Sequence, residues 1–150
     1  MSDNVLILIP TDPSYIPEHS AQQEARNLLR SFAPDADEVK AQTTDEVELV
    51  FTGTNLERIL CPVCGTLLDW EWWSDALDTA YSATRFTNLL VTLPCCGAAH
   101  SLNDLRYEWP IGFTRFRLEA LNPNKRNADA VLPALERILG CQLRQMWAHI

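Results

Sequence analysis

Four of the five cysteines fall in two short clusters closed by glycine, Cys61-Pro62-Val63-Cys64-Gly65 and Pro94-Cys95-Cys96-Gly97, with His100 just beyond the second. Such clusters dictate reverse turns, because the glycine admits a left-handed backbone and lets neighbouring amides point at sulfur. Two turns of this kind, brought face to face, supply the four soft or borderline donors that tetrahedral zinc requires. The first cluster gives Cys61 and Cys64, and the second offers Cys95, Cys96 and His100 for two places. Cys96 precedes its glycine as Cys64 does, which makes it the equivalent ligand. His100, three residues on, is a familiar reach in mixed sites, whereas adjacent cysteines in an extended segment point apart. The expected set is therefore Cys61, Cys64, Cys96 and His100, with Cys95 as the alternate for either of the last two.

Other uses of these cysteines are weaker. The chain opens Met-Ser-Asp-Asn, without a basic leader followed by a long apolar run, so export and disulfides are not expected and reduced thiols in a cytoplasmic protein are. Lone Cys141, near a helix end, reads as a core residue. Cys61-Pro62-Val63-Cys64 also resembles the thiol motif of glutaredoxin-like proteins, but that motif opens a helix whose dipole lowers the thiol pKa. Here Gly65 and the β-prone Thr66-Leu67-Leu68 follow instead.

The remainder of the chain reads as two similar halves. Val5 to Ile9 is a buried strand ended by Pro10-Thr11-Asp12-Pro13. Between Glu18 and Phe32, Ala21, Ala25, Leu28, Leu29 and Phe32 share a helical face, with Pro17 suited to the first helical position. Val47, Leu49 and Phe51 alternate as a half-buried strand. The pattern repeats near the C-terminus: Thr114, Phe116, Leu118 and Ala120 alternate, Asn122-Pro123-Asn124 turns, Leu132, Leu135, Ile138 and Leu139 form a helix ending at Gly140, and Gln142 to His149 closes with Leu143 and Trp147 inward. Two β-α-β units imply an α+β, ferredoxin-like split sandwich with both helices on one face of a four-stranded antiparallel sheet. The 150 residues then form a single domain of two halves, 1–54 and 110–150, with 55–109 as a zinc-binding insertion between them. Because Val5, Ile7 and Ile9 face one way and Leu6 and Leu8 the other, both faces of the first strand must be covered. The Trp72-Trp73 helix, the metal segment or a second subunit is the expected cover for the second face.

Within the insertion, Leu89 to Leu93 reads as a strand delivering the second turn, and a helix begins near Trp70. Trp73, Leu77, Ala80, Tyr81 and Thr84 share its core-facing side, while Glu71, Trp72, Asp75 and Asp78 form an acidic, aromatic rim suited to gripping a basic protein. Charge is uneven: residues 1–109 carry 17 acidic and 6 basic side chains, giving −11, and residues 110–150 carry 3 and 6, giving +3. An acidic surface repels phosphates, which argues against a nucleic-acid role even with Arg115, Arg117, Lys125 and Arg126 clustered near the C-terminus.

The two turns resemble those of zinc-ribbon proteins over about residues 59–102, with Cys61, Cys64 and Cys96-Gly97 at matching positions and Leu93 standing where a cysteine is usual. A closed site of this kind implies a structural ion without an open coordination position, hence no hydrolysis. No phosphate-binding glycine loop, nucleophile elbow or His-Glu-x-x-His is present, and His19 and His149 read as surface histidines. The resulting expectation is a non-catalytic, zinc-stabilised, cytoplasmic protein-binding module with a basic protein partner, in its most specific form an immunity protein covering a basic toxin. A nucleic-acid-binding regulator and a zinc or thiol enzyme are the alternatives from other classes.

Overall fold

A computed structural model of the chain describes residues 3–51, 58–108 and 111–149. In chain order the elements are β1 (Asn4–Pro10), α1 (His19–Phe32), β2 (Glu38–Phe51), β3 (Ile59–Leu60), α2 (Trp70–Thr84), β4 (Leu90–Thr92), β5 (Ala99–Ser101), a short 3-10 turn (Leu102–Asp104), β6 (Arg106–Tyr107), β7 (Ile111–Leu121), α3 (Leu132–Leu139) and β8 (Leu143–His149). The fold is α+β. Four strands form one antiparallel sheet in the order β2-β7-β1-β8, so each β-α-β half places its two strands apart and a strand of the other half between them.

The apolar periodicities decide which faces are buried. Leu6 and Leu8 of β1 pack with Phe116, Leu118 and Ala120 of β7 under Ala25 and Leu29 of α1 and Leu135 and Leu139 of α3. Both helices therefore cover one face of the sheet. Removing those side chains from water is the main stabilising contribution here, at roughly 1.5–3 kcal/mol for each fully buried large aliphatic. On the opposite face Val5, Ile7 and Ile9 form a second core with Val50, Met146 and Ala148. The two-faced burial expected of β1 is met. Among the described residues that core draws on β1, β2 and β8, and Trp73 of α2 belongs to a third core with Ile59, Cys61, Leu89, Leu93, Ile111 and Phe113.

Two boundaries differ from the sequence reading. β2 starts at Glu38 rather than Val47, because it is the outer strand of the sheet and its Glu38, Lys40 and Gln42 can remain in water while Val39 is buried. Its register against β7 shifts between Thr43 and Glu48, where one stretch of β2 bulges past Arg115, whose Nε–H donates to Thr44 O at 3.1 Å. Pro17 lies outside α1, where Glu18 is the N-cap, and its carbonyl accepts from the buried Gln22 side chain at 2.9 Å. The expected domain limits, 54/55 and 109/110, lie outside the described residues. Just inside them, β3 and β6 pair, Ile59 with Tyr107 and Leu60 with Arg106, and Arg58 makes a two-pronged ion pair to Glu108 at 2.8 and 2.7 Å. The ends of the metal segment are thus held together.

β7 outruns its neighbour. β1 pairs with it only from Leu118 to Leu121, which leaves the N-terminal half of β7 with one edge unpaired by that strand. Loop groups fill the gap: Arg115 N–H donates to Pro13 O at 3.0 Å, and Phe113 N–H donates to Oδ1 of Asn103 at 3.0 Å. Asn103 is 3% exposed and also donates through its side-chain nitrogen to Thr11 O at 3.2 Å. Asn103→Ala should strip both partners at once and cost about 1–3 kcal/mol, the usual penalty for leaving a buried polar group unsatisfied. Equilibrium urea unfolding measures it, and a change within about 0.5 kcal/mol, as for an ordinary surface substitution, would contradict the bridging role.

Candidate metal centre

The two cysteine clusters fold as the same structure. In the first, Gly65 N–H donates to Cys61 O at 2.9 Å and Cys61 N–H donates to Thr66 O at 2.9 Å. In the second, Gly97 N–H donates to Leu93 O at 2.9 Å and Leu93 N–H donates to Ala98 O at 2.8 Å. Gly65 and Gly97 both sit in the left-handed region, at φ +74° and +73°, with open space where a Cβ would go, so the turn needs glycine for its backbone and not for room. Leu93 is the counterpart of Cys61, Cys95 of Val63 and Cys96 of Cys64. Cys61 and Leu93 both point into the core below the turns, each 1% exposed.

Facing each other, the turns bring together Cys61, Cys64, Cys95 and Cys96, whose sulfurs all lie within 4.8 Å of one another. Cys61 Sγ is 3.8 Å from Cys96 Sγ, and Cys64 Sγ is 3.3 Å from Cys95 Sγ. Four ligands at a zinc–sulfur distance of about 2.3 Å in a tetrahedron stand about 3.8 Å apart, close to the 3.3 and 3.8 Å contacts here, so the cage suits such an ion. His100 is not among the converging groups. It lies on β5 opposite Val91, down the hairpin from the turn, so the strand that carries it leads away from the sulfurs. Cys95, the alternate in the sequence reading, provides the fourth sulfur. The signal was present in the sequence: aligning Pro62 with Pro94 and Gly65 with Gly97 puts Leu93 in a ligand position and shows that a neighbouring donor must replace it.

Electrostatics within the cage are uneven. Burial opposes ionisation of Cys61, yet the N–H groups of Cys64 and Val63, each 3.4 Å from its sulfur, hold its pKa below the ordinary thiol value. The Thr66 hydroxyl, 3.0 Å from Cys64 Sγ, is the main cause of a Cys64 pKa lowered to about 6. Cys95 is pushed up to about 12, first by desolvation where its sulfur meets the others and then by the adjoining sulfurs of Cys64 and Cys61. Four thiolates at this spacing repel one another, and a divalent cation removes that repulsion. Cys141 lies apart, half-buried, and burial pushes its thiol up to about 11.

The helix between the turns anchors the segment. Trp73 Nε1–H donates to the Tyr107 hydroxyl at 3.0 Å, which donates onward to Leu102 O at 2.6 Å, and burial raises the Tyr107 phenol well above its usual range. Of the expected core-facing side, Trp73 and Ala80 are buried, Leu77 is half-buried, and Tyr81 is exposed but donates to Glu46 at 3.2 Å. Glu71, Asp75 and Asp78 lie exposed along one stripe of α2 with half-buried Trp72 at its edge. Among the described residues none of the three carboxylates is in an ion pair. Beside them a groove of about 470 Å³ runs between α2 and β4, with Trp72, Ala76, Ala83, Leu90 and Val91 in its wall.

Arg117, Lys125 and Arg144 are engaged internally. Arg117 pairs with Glu48 at 3.0 Å and Glu119 at 3.6 Å, and Lys125 donates to Phe32 O at 2.7 Å while lying over its ring. A wider hollow of about 600 Å³ between β6 and β8 is bordered by Arg144, whose guanidinium donates to Asn103 O at 3.1 Å and faces Asp104 at 3.5 Å. His19 opens α1, and His149 meets Asn4 Oδ1 at 2.6 Å. No helix among the described residues is long and apolar enough to cross a membrane. No protein-family model, curated protein or solved structure matches the chain.

The geometry separates the two ligand sets experimentally. Serine at Cys61, Cys64, Cys95 or Cys96 should each weaken metal binding sharply, whereas His100→Ala should leave it intact. Metal stoichiometry by native mass spectrometry under chelator competition reads this directly. A His100→Ala protein that loses its metal while Cys95→Ser keeps it would restore the histidine to the site.

Proposed function

We propose that this chain is a non-catalytic, zinc-stabilised protein-binding module of the cytoplasm, built as a ferredoxin-like split β-α-β sandwich with an inserted zinc-ribbon-like segment. The interleaved strand order and the paired ends of the segment support that architecture. Four converging sulfurs, with all four places filled by protein, suit zinc in a structural role. The observation that carries the binding role is the stripe of Glu71, Asp75 and Asp78, unpaired among the described residues, alongside an apolar groove edged by Trp72. An interface needs an apolar anchor to slow dissociation and a charged rim to select and steer the partner, and this surface has both. The partner of matching chemistry is a basic protein, and the most specific form of the reading is an immunity protein that covers a basic toxin. Nucleic acid fits less well, because Arg115, Arg117 and Lys125 have their charges turned to Glu48, Glu119 and backbone carbonyls.

Co-purification from the native host, followed by kinetics on the recovered complex, tests the reading. Association should slow markedly as salt rises from low to physiological strength, since screening reaches about 8–10 Å there. Lysine at both Asp75 and Asp78 should act mainly on the association rate, and Trp72→Ala on the dissociation rate, with a loss of about 1–3 kcal/mol. Recovery of nucleic acid, or unaltered binding by the double lysine variant, would refute the assignment of this face.

A further inference from the structure

We propose that the cage is also a thiol-disulfide switch, in which a hydroperoxide oxidises Cys64 and Cys95 to a disulfide and the metal is lost. The proposal rests on the zinc reading above and extends it from support to regulation. Three of the four cage cysteines, Cys64, Cys95 and Cys96, are solvent-exposed, and only Cys61 is buried. A purely structural thiolate site gains from exclusion of oxidants, whereas exposure together with thiolate character marks sulfur that oxidants reach. The exposed sulfurs are also paired across the turns: Cys64 and Cys95 stand 3.3 Å apart, closer than the 3.8 Å between Cys61 and Cys96. They come from separate hairpins, so the bond requires the two turns to close by little more than an ångström toward the roughly 2.05 Å of a disulfide.

The exposed thiolate of Cys64, with Cys95 3.3 Å away, is the attacking sulfur. That thiolate takes the terminal oxygen of the hydroperoxide. The O–O bond breaks, hydroxide or alkoxide leaves, and Cys64 becomes a sulfenic acid. The Cys95 thiolate then attacks the Cys64 sulfur, the S–O bond breaks and hydroxide leaves. Two electrons have passed from the sulfur pair to the peroxide, and two thiolate ligands have been removed. Cys61 and Cys96 remain, two donors where a tetrahedral ion requires four, so the metal is released and the turns lose their common anchor. Cys141 has no part in this, being half-buried and remote from the cage.

The test uses the full chain as purified, with its metal content measured first. Hydrogen peroxide is added, released zinc is followed with a chromophoric indicator, and free thiols are alkylated before peptide mapping. The expected result is release of one zinc per chain together with a Cys64–Cys95 linkage, reversed by dithiothreitol plus zinc, with Cys141→Ser unchanged in both respects. Zinc retained through a large excess of peroxide would overturn the switch and leave the zinc reading standing. So would release accompanied only by sulfinic or sulfonic products, or by linkages through Cys141. Protein that carries no zinc before oxidant is added would instead sink the zinc reading, and the switch with it.

Discussion

The buried amide of Asn103 is the interaction on which the arrangement of this molecule depends. It sits at the point where three elements fail to reach each other: β1 stops at Pro10, β7 continues beyond it, and the metal segment approaches from the side. One side chain meets all three, donating to Thr11 O, accepting from Phe113 N–H, and accepting from Arg144 of β8 at 3.3 Å, while its own carbonyl also receives Arg144. Only an amide offers a donor and an acceptor on the same planar group at this reach. A carboxylate lacks the donor, and an apolar side chain leaves every partner bare in a place where water has been excluded. Because Asn103 belongs to the short turn that follows β5, the geometry that satisfies β7 also fixes the orientation of the hairpin carrying Cys95 and Cys96.

Much of the sandwich could be read from its sequence, for identifiable reasons. β1, α1, β7, α3 and β8 each carry an apolar period of 2 or 3.6 strong enough to name the element and its buried face, and Asn122 and Gly140 end elements with the left-handed backbones that their residue types favour. The first half of β2 escaped because an edge strand needs burial on only one side, and Glu38, Lys40 and Gln42 look like loop when the sheet is unseen. β3 and β6 escaped for another reason: two residues are too few to show a period, and their pairing depends on a contact between Ile59 and Tyr107 that only the folded chain creates. The shift of β2 against β7 at Arg115 likewise has no local signature.

The metal centre was legible in kind but not in full membership. Glycine spacing located both turns, and Cys61, Cys64 and Cys96 follow from it. The fourth place was assigned by reach along the chain, which favoured His100, whereas in the folded hairpin three residues beyond Gly97 means movement down a strand and away from the sulfurs. Internal equivalence was the better guide. The second turn has Leu93 where the first has Cys61 and keeps the same backbone, and its donor stands inside the turn, at the position of Val63 in its twin.

That substitution has an electrostatic consequence that joins the cage to the acidic helix. A divalent ion held by three thiolates and a neutral imidazole carries a net charge of about −1, whereas one held by four thiolates carries about −2. The extra negative charge sits on exposed sulfurs, on a segment whose helix presents Glu71, Asp75 and Asp78. At surface dielectric such charges do little for stability one by one, but a summed negative field favours encounter with cations and disfavours phosphate. A leucine at that position serves packing below the turn, where Leu93 joins Cys61 in the core, and the fourth sulfur stands outward on exposed Cys95. The small core around Trp73 includes Cys61 and Leu93 from the two turns, so an ion held by the four sulfurs would tie the stability of the segment to its chemical environment.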